Sequence, residues 1–244
     1  MRTRFLLLLF LGTLCFAGEG TIGSAAVAVV LKMEGKAKLL PANSLKKHRL
    51  KVGEHVAAGD QLFTYADSSA VLKFNDASVV VLDENARLLL HSELSLQQKS
   101  GAVYYRIEKR SRSGGLKVET PFSIIGIKGT EFIVDFKGSG RIALNEGVVA
   151  VTSPQERFEL YRQREMSDFE RYQQQQDRGF KAYKRRIEEQ IAAYLVSFDL
   201  QRQQMLTFQD AGHCKEACGS QVFEEGFTPE IKARFKYYQQ LAEE

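Results

Sequence analysis

Short apolar runs separated by turn residues dominate residues 25–151 of this 244-residue chain. In order, the runs are VAVVLKM, GDQLFTYA, SAVLKFNDASVVVL, ARLLL, GAVYYRI, LKVETPFSIIGI, EFIVDF and RIALNEGVVAV. Strands of this length, broken at regular intervals, are typical of an all-β domain. The pattern predicts such a domain over residues 25–152 and leaves open whether its strands form a sandwich or a solenoid.

One hairpin can be placed within this domain. In Ser69–Leu82, Val71 and Lys73 face one way and Leu72 faces the other, which is the alternation of a half-buried strand. Asn75–Ser78 supplies turn residues, after which a second apolar run returns. We therefore predict two paired strands over these residues.

The pattern changes beyond Ser153, where turn signals vanish and apolar residues recur at helical spacing. A looser stripe covers Phe158–Tyr172, and Gly179 follows it. The clearest stripe, spaced by three or four residues, is Phe180, Tyr183, Ile187, Ile191, Tyr194 and Phe198. We predict a helical region over residues 155–244. Its helices either cover the β-domain or form a coiled-coil arm for a partner or a second copy of the chain.

A last helix is predicted near the C-terminus. Thr228 is a suitable N-cap and Pro229 a suitable first helical residue. The apolar face that follows consists of Ile231, Phe235, Tyr238 and Leu241.

Cys214 and Cys218 lie between these helical patterns. One pair of thiols beside His213 supplies too few ligands for a zinc site, which needs four. Two nearby thiols tend to pair in an oxidising compartment. We therefore predict a Cys214–Cys218 disulfide and no metal or other cofactor.

The N-terminus has the segment order of a secretory signal peptide. Arg2 and Arg4 precede the apolar run Phe5–Leu11, and a small-residue exit follows near Ala17. The run is shorter than the roughly 20 residues that a helix needs to span a bilayer. An uncleaved anchor is the competing interpretation. We expect residues 1–17 to be removed and the mature protein to lie in the periplasm or at the cell surface.

The charge distribution argues against nucleic acid as a partner. Removal of Arg2 and Arg4 lowers the formal charge of +4 by two, and the remaining acidic and basic residues are interspersed. Nucleic-acid binding favours a clustered basic face. Acidic residues beside Gly, Ser and Asn are typical of turns, so we do not predict a catalytic carboxylate pair.

The segment TPFSIIGIKGTEFIV, residues 120–134, interrupts a strand pattern at Gly126 and Gly129. A P-loop needs more widely spaced glycines followed by lysine, and a dinucleotide fingerprint needs a helix after the loop. Here Lys128 precedes the second glycine and a strand follows. The glycines therefore indicate a bulge, a bend or a close backbone approach, with Lys128 pointing into solvent.

Taken together, these signals resemble the FecR-like family, named after the periplasmic regulator of ferric citrate uptake, over about residues 25–152. Ala77 departs from the family, which usually has glycine there. The resemblance implies a non-catalytic, all-β module outside the cytoplasm, in which the motif residues are structural. The main motif residues are Gly59, Asp60, Asp76, Ser78, Thr120, Pro121, Gly126, Lys128, Gly129, Thr130 and Phe132.

Two basic stretches are candidates for a binding surface. One contains Lys46, Lys47 and Arg49, and the other contains Arg110 and Arg112. Such residues commonly protect sheet edges; the alternative is contact with an acidic envelope protein or an anionic polymer. No segment precedes the apolar run that could act in the cytoplasm, so we do not expect direct control of a sigma factor. We expect a sensor or adaptor in envelope assembly or signalling. The alternative is a structural envelope protein whose β-domain binds glycan or another anionic polymer.

Overall fold

The computed structural model describes residues 26–109, 115–136, 140–154, 158–162, 193–195, 197–208 and 221–243. Short strands and a C-terminal helix make up the regular structure in these ranges. The helix, α1, is Pro229–Glu243. The strands, numbered in chain order, are β1 (Ala26–Glu34), β2 (Ala37–Leu40), β3 (His48–Arg49), β4 (His55–Ala57), β5 (Gln61–Thr64), β6 (Ser69–Phe74), β7 (Val79–Leu82), β8 (Arg87–Ser92), β9 (Ser95–Ser100), β10 (Ala102–Arg106), β11 (Leu116–Glu119), β12 (Ile124–Ile127), β13 (Glu131–Asp135), β14 (Gly140–Glu146), β15 (Val149–Thr152), β16 (Phe158–Arg162), β17 (Ala193–Leu195), β18 (Ser197–Leu200), β19 (Gln204–Phe208) and β20 (Gln221–Gly226).

The strands form two sheets that pack face to face as a β-sandwich. Of the described strands, eleven form sheet A in the order β17-β16-β20-β19-β14-β13-β10-β7-β6-β1-β4. Nine form sheet B in the order β18-β15-β12-β11-β9-β8-β5-β2-β3. Alternate side chains of both sheets, such as Leu72 of β6 and Leu88 of β8, fill the space between them. The predicted all-β fold is therefore confirmed, as a sandwich.

The hairpin over residues 69–82 is also confirmed. β6 and β7 pair antiparallel, with Ala70 opposite Leu82 and Lys73 opposite Val79. Leu72 faces the core between the sheets, whereas Val71 lies on the opposite face of sheet A. The alternation in the sequence thus gives the correct faces.

Helix α1 lies on the outer face of sheet A. Thr228 Oγ1 accepts a hydrogen bond from the backbone N–H of Ile231 at 3.3 Å, and Pro229 is the first helical residue. Burial of each large apolar side chain contributes roughly 1.5–3 kcal/mol. Because its apolar face is buried against sheet A, the helix covers the sandwich and does not project as an arm. Its buried face meets a second apolar cluster, contributed by Val71, Val79, Val81, Tyr104, Ile133, Ala143 and Met205 of sheet A.

The predicted helical region over residues 155–244 is wrong in most of its described part. Only α1 is helical there, whereas β16 to β20 are strands of the same two sheets. In β18, the buried Phe198 and Leu200 alternate with the exposed Ser197 and Asp199. This period of two was concealed because Phe198 also fits the helical spacing. Both sheets consequently extend beyond residue 152.

Several predictions concern residues outside the described ranges. These are the signal peptide over residues 1–17, the helical stripe from Phe180 to Ile191, the pair Arg110 and Arg112, and the Cys214–Cys218 disulfide. Within the described ranges, no helix is long and apolar enough to cross a bilayer. In the same residues, no cluster of His, Cys, Asp or Glu side chains is arranged to hold a metal ion.

Candidate functional site

The glycine-interrupted segment carries the chain from sheet B to sheet A. β12 belongs to sheet B and β13 to sheet A. Between them, Gly129 has a φ of 65°, a left-handed conformation that favours glycine. A Cβ at this position would lie 3.2 Å from the backbone Cα of Lys109 and closer still to its side chain. Gly147 adjoins the same corner, because its Cβ would lie 2.7 Å from the carbonyl oxygen of Gly129. The corner therefore requires both glycines.

Gly126 does not turn the chain, contrary to the interpretation from sequence. It pairs in register with Lys117 of β11 and Ala150 of β15, with no bulge. A Cβ at this position would meet only Ala150, at 3.7 Å, which is ordinary contact. Lys128 is exposed. Of the two glycines in this segment, only Gly129 is required by local geometry.

A second turn precedes β12. The buried Thr120 Oγ1 accepts a hydrogen bond from the backbone N–H of Ser123 at 2.8 Å. The Thr120 backbone N–H donates to the Ser123 carbonyl oxygen at 2.8 Å, with Pro121 inside this turn. Threonine and proline thus fix the entry of the chain into β12.

Thr130 and Phe132 secure the start of β13. Thr130 exchanges two backbone hydrogen bonds with Ile107, at 2.9 and 3.1 Å. Its hydroxyl group is buried and has no hydrogen-bond partner among the described residues. Phe132 is fully buried and stacks on the ring of Tyr105 at a centroid distance of 4.7 Å.

Asp60 organises the loop that leads into β5. Its carboxylate oxygens accept hydrogen bonds from the backbone N–H groups of Ala42, at 3.0 Å, and Ala57, at 2.9 Å. The preceding Gly59 has a φ of 90°. A carboxylate that accepts two backbone N–H groups in this way fixes the conformation of the turn.

Asp76 fixes the turn of the β6–β7 hairpin in a similar way. It accepts hydrogen bonds from the backbone N–H of Ser78, at 3.1 Å, and from the Ser78 hydroxyl group, at 2.9 Å. Ala77, between them, has a φ of 67°. This conformation costs an L-residue roughly 1–2 kcal/mol, which accounts for the glycine that the FecR-like pattern has at this position.

A polar network, missed from sequence, links α1 to sheet A. Arg234 Nη1 donates to Oδ2 of Asp135 at 2.5 Å, and Arg141 Nη2 donates to the same oxygen at 3.2 Å. The Asp135 side chain is only 1% exposed. Tyr238 OH donates to Oδ2 of Asp83 at 2.8 Å. The partners come from distant parts of the sequence, so no local pattern announces this network.

Burial and charge both affect tyrosines near this network. Burial, and then the charge of Glu131, raises the pKa of Tyr104 far above its usual value. Burial also raises the pKa of Tyr105, and it is the main cause of the raised pKa of Tyr238. All three hydroxyl groups therefore remain protonated at physiological pH. They act as hydrogen-bond donors and not as bases.

Only one of the two predicted basic stretches lies within the described residues. Lys46, Lys47 and Arg49 are exposed at the β3 edge of sheet B. Arg110 and Arg112 lie outside the described residues, so the structure does not show the two stretches together. The strands next to β3 bring further cations to this edge instead.

Cations from β2, β8 and the adjoining loops surround two aromatic rings on the outer face of sheet B. Lys47 Nζ lies 3.4 Å from the ring centroid of Phe63, and the guanidinium carbon of Arg87 lies 4.8 Å from it. On Tyr65, the ammonium groups of two lysines lie 4.9 and 5.9 Å from the ring centroid. We call this set the cation–aromatic face; it comprises Lys36, Lys38, Lys47, Arg49, Phe63, Tyr65 and Arg87.

Sequence reasoning identified only part of this face. Lys47 and Arg49 stand in an obvious basic run, whereas Lys38, Phe63 and Arg87 are separated by more than twenty residues each. Their alignment depends on the pairing of β2 with β5 and of β5 with β8. Alternating cationic and aromatic residues at outward strand positions are a signal that could have suggested them.

Comparison with known proteins gives one specific match. Residues 60–150 match the family model described as FecR protein. No curated protein matches the sequence. Two crystal structures of a candidate anti-sigma factor from Parabacteroides distasonis are similar at 9% identity, with TM-scores of 0.46 and 0.45. Each alignment covers 72% of this chain, and 64% and 63% of those chains. This structural likeness is too weak to carry an argument about function.

Proposed function

Because residues 60–150 are a FecR domain, we propose that this protein is a non-catalytic binding module that acts as a sensor or adaptor in envelope assembly or signalling. It works in the periplasm or at the cell surface after its signal peptide is removed. The observation that carries the proposal is the FecR match, together with the structural use of the residues that define it.

The motif side chains support binding over chemistry. Asp60 and Asp76, the motif carboxylates, accept hydrogen bonds from the backbone of their own turns. Gly129 and Thr130 shape the corner between the sheets. A residue that fixes a turn in this way contributes to the shape of the domain. Recognition is then left to the exposed faces.

The sequence predicts a partner-facing helical arm in the region that follows residue 154. Helix α1 is excluded from this role because it packs on sheet A. The predicted helical stripe from Phe180 to Ile191 lies outside the described residues. The flanking strands β16 and β17 pair antiparallel, with Phe158 opposite Leu195 and Leu160 opposite Ala193. Residues 163–192 thus connect two neighbouring strands.

This pairing allows a clean test of the arm. A stop codon after Ser153 would remove five strands and α1, so loss of a partner would report only misfolding. Replacement of residues 163–192 by a short Asn-Gly turn keeps both strands and joins them as a hairpin. We would compare the full chain and this variant by in-cell crosslinking and co-purification, with unchanged thermal unfolding as the control for folding.

The two outcomes distinguish recognition through the arm from recognition by the sandwich. Loss of a crosslinked protein partner in the arm-deleted variant supports an adaptor that works through the arm. Retention of the same partner would contradict that role and assign recognition to the sandwich.

A further inference from the structure

The strands at one end of sheet B contain no acidic residues. The five neighbouring strands β9, β8, β5, β2 and β3 have the sequences SLQQKS, RLLLHS, QLFT, AKLL and HR. None contains Asp or Glu, although the chain has 30 acidic residues. The other half of the sheet differs, because Lys117 of β11 is paired with Glu119 at 2.7 Å.

The cations at this end form a row across the strands. Lys38 pairs with Arg49 on one side and with Phe63 on the other, and Phe63 pairs with Arg87. Directly paired residues share a face of the sheet. Since neighbouring strands lie about 4.8 Å apart, the row extends about 14 Å from Arg49 to Arg87.

The aromatic rings hold these cations in place. Phe63 points away from the core and is nevertheless only 7% exposed, because Lys47 and Arg87 cover its ring. Tyr65 holds Lys36 and Lys38 in the same manner. Cations above aromatic faces are attracted by the ring electrons. Fixing long side chains beforehand lowers the entropy that a ligand must remove.

The cations keep their charge available for a ligand. Among the described residues, no carboxylate forms an ion pair with any of the five cations of the face. The acidic residues of the adjoining turns have other partners: Glu54 contacts His48 of β3 at 2.5 Å, and Glu84 contacts Asp67, whose backbone N–H donates to the Glu84 carboxylate.

We propose that the cation–aromatic face binds an anionic polysaccharide, a chain of sugars that carries carboxylate groups. The proposal rests on the proposed function, because it names the ligand class of the binding module. A single small anion would need converging charges, whereas these cations are spread along a row. An extended polymer with anionic groups at intervals matches such a row.

The covered rings argue against single-stranded nucleic acid. Proteins that bind it combine a basic groove with aromatic rings on which the bases stack. Here the face of Phe63 is occupied by Lys47 and Arg87, so a base has no free ring to stack on. A carboxylated sugar chain needs only the charges and the flat surface.

The test compares two variants of the full mature chain with equal net charge. In the first, Lys38, Lys47, Arg49 and Arg87 are each replaced by Gln. In the second, the matched control, four exposed cations elsewhere are replaced by Gln: Lys73, Lys128, Arg202 and Lys232. Binding to polygalacturonate, neutral dextran and an oligothymidylate is measured by fluorescence anisotropy at two salt concentrations. Thermal unfolding of each variant confirms that it folds.

We expect salt-sensitive binding to polygalacturonate. The affinity should fall about tenfold in the first variant, because four individually weak charge contacts are lost together. It should fall less than twofold in the control. Absence of binding in the unmodified chain, or equal losses in the two variants, would overturn the proposal. Tighter binding to the oligothymidylate would replace it with a nucleic-acid site. Such a failure leaves the arm-deletion result unaffected, so the two proposals can fail separately.

Discussion

Substitution of Arg234 by Met should weaken the attachment of helix α1 to sheet A and destabilise the protein. Arg234 Nη1 donates to Asp135 at 2.5 Å, and its Nη2 donates to Tyr238 OH at 3.0 Å. The Arg234 side chain is 17% exposed and that of Asp135 is 1% exposed. Methionine retains most of the apolar stem, so the change removes mainly the charge and the hydrogen bonds.

The expected loss follows from the burial of Asp135. Removal of one partner of a buried ion pair costs about 3–5 kcal/mol when the other charge is left alone. Asp135 keeps Arg141, whose Nη2 lies 3.2 Å from Oδ2, so the loss should be smaller. Hydrogen bonds to charged groups contribute about 1.5–3 kcal/mol. We therefore expect Arg234→Met to lower the free energy of unfolding by about 2–3 kcal/mol.

Urea unfolding followed by circular dichroism measures this loss. Lys232→Met is the matched control, because Lys232 is exposed on the same helix and should change stability by less than about 0.5 kcal/mol. A double-mutant cycle with Asp135→Asn should give a coupling energy of about 1–3 kcal/mol. A coupling energy near zero would refute the assignment of this ion pair as a stabilising contact between α1 and sheet A.

Three further predictions follow from backbone and side-chain geometry. Ala77→Gly should raise the free energy of unfolding by about 0.5–1 kcal/mol, because it relieves the φ of 67°; a loss in urea unfolding would contradict this. Gly129→Ala should destabilise by more than about 1 kcal/mol, whereas Gly126→Ala should be nearly neutral; equal effects would show that the corner does not require Gly129. Buried tyrosines have pKa values above the unfolded value of 10.0. Their stabilisation is complete below pH 10 and is lost as the pH rises further, by up to about 1.4 kcal/mol per pH unit for each tyrosine. Tyr105→Phe should flatten this decline in urea unfolding between pH 10 and 11.5; an unchanged slope would contradict the assignment.

The sequence predicts the strands of the all-β domain well where apolar alternation is local, but it does not distinguish a sandwich from a solenoid. β6 and β7 are contiguous, so the faces of Val71 and Leu72 can be read directly. The FecR-like motif likewise lies in short turns, such as Asp76 with Ser78. Beyond residue 154 the prediction succeeded for α1. It failed for β18 because aromatic residues there fit two periods, and Phe198 belongs to a strand. Only the pairing of β18 with the distant β15 distinguishes the period of a strand from that of a helix here.

The two outer faces of the sandwich differ in what covers them. β7, with the sequence VVVL, is buried at all four positions, because the sandwich core covers one face of sheet A and α1 covers the other. β8 in sheet B instead alternates the buried Leu88 and Leu90 with the exposed Arg87 and His91. A strand that is apolar on both faces requires a cover, and α1 supplies it by packing. A strand with cations on its outer face remains hydrated until a ligand of opposite charge binds. The composition of β7 and β8 therefore accounts for the helix that covers sheet A and for the hydrated outer face of sheet B at β8.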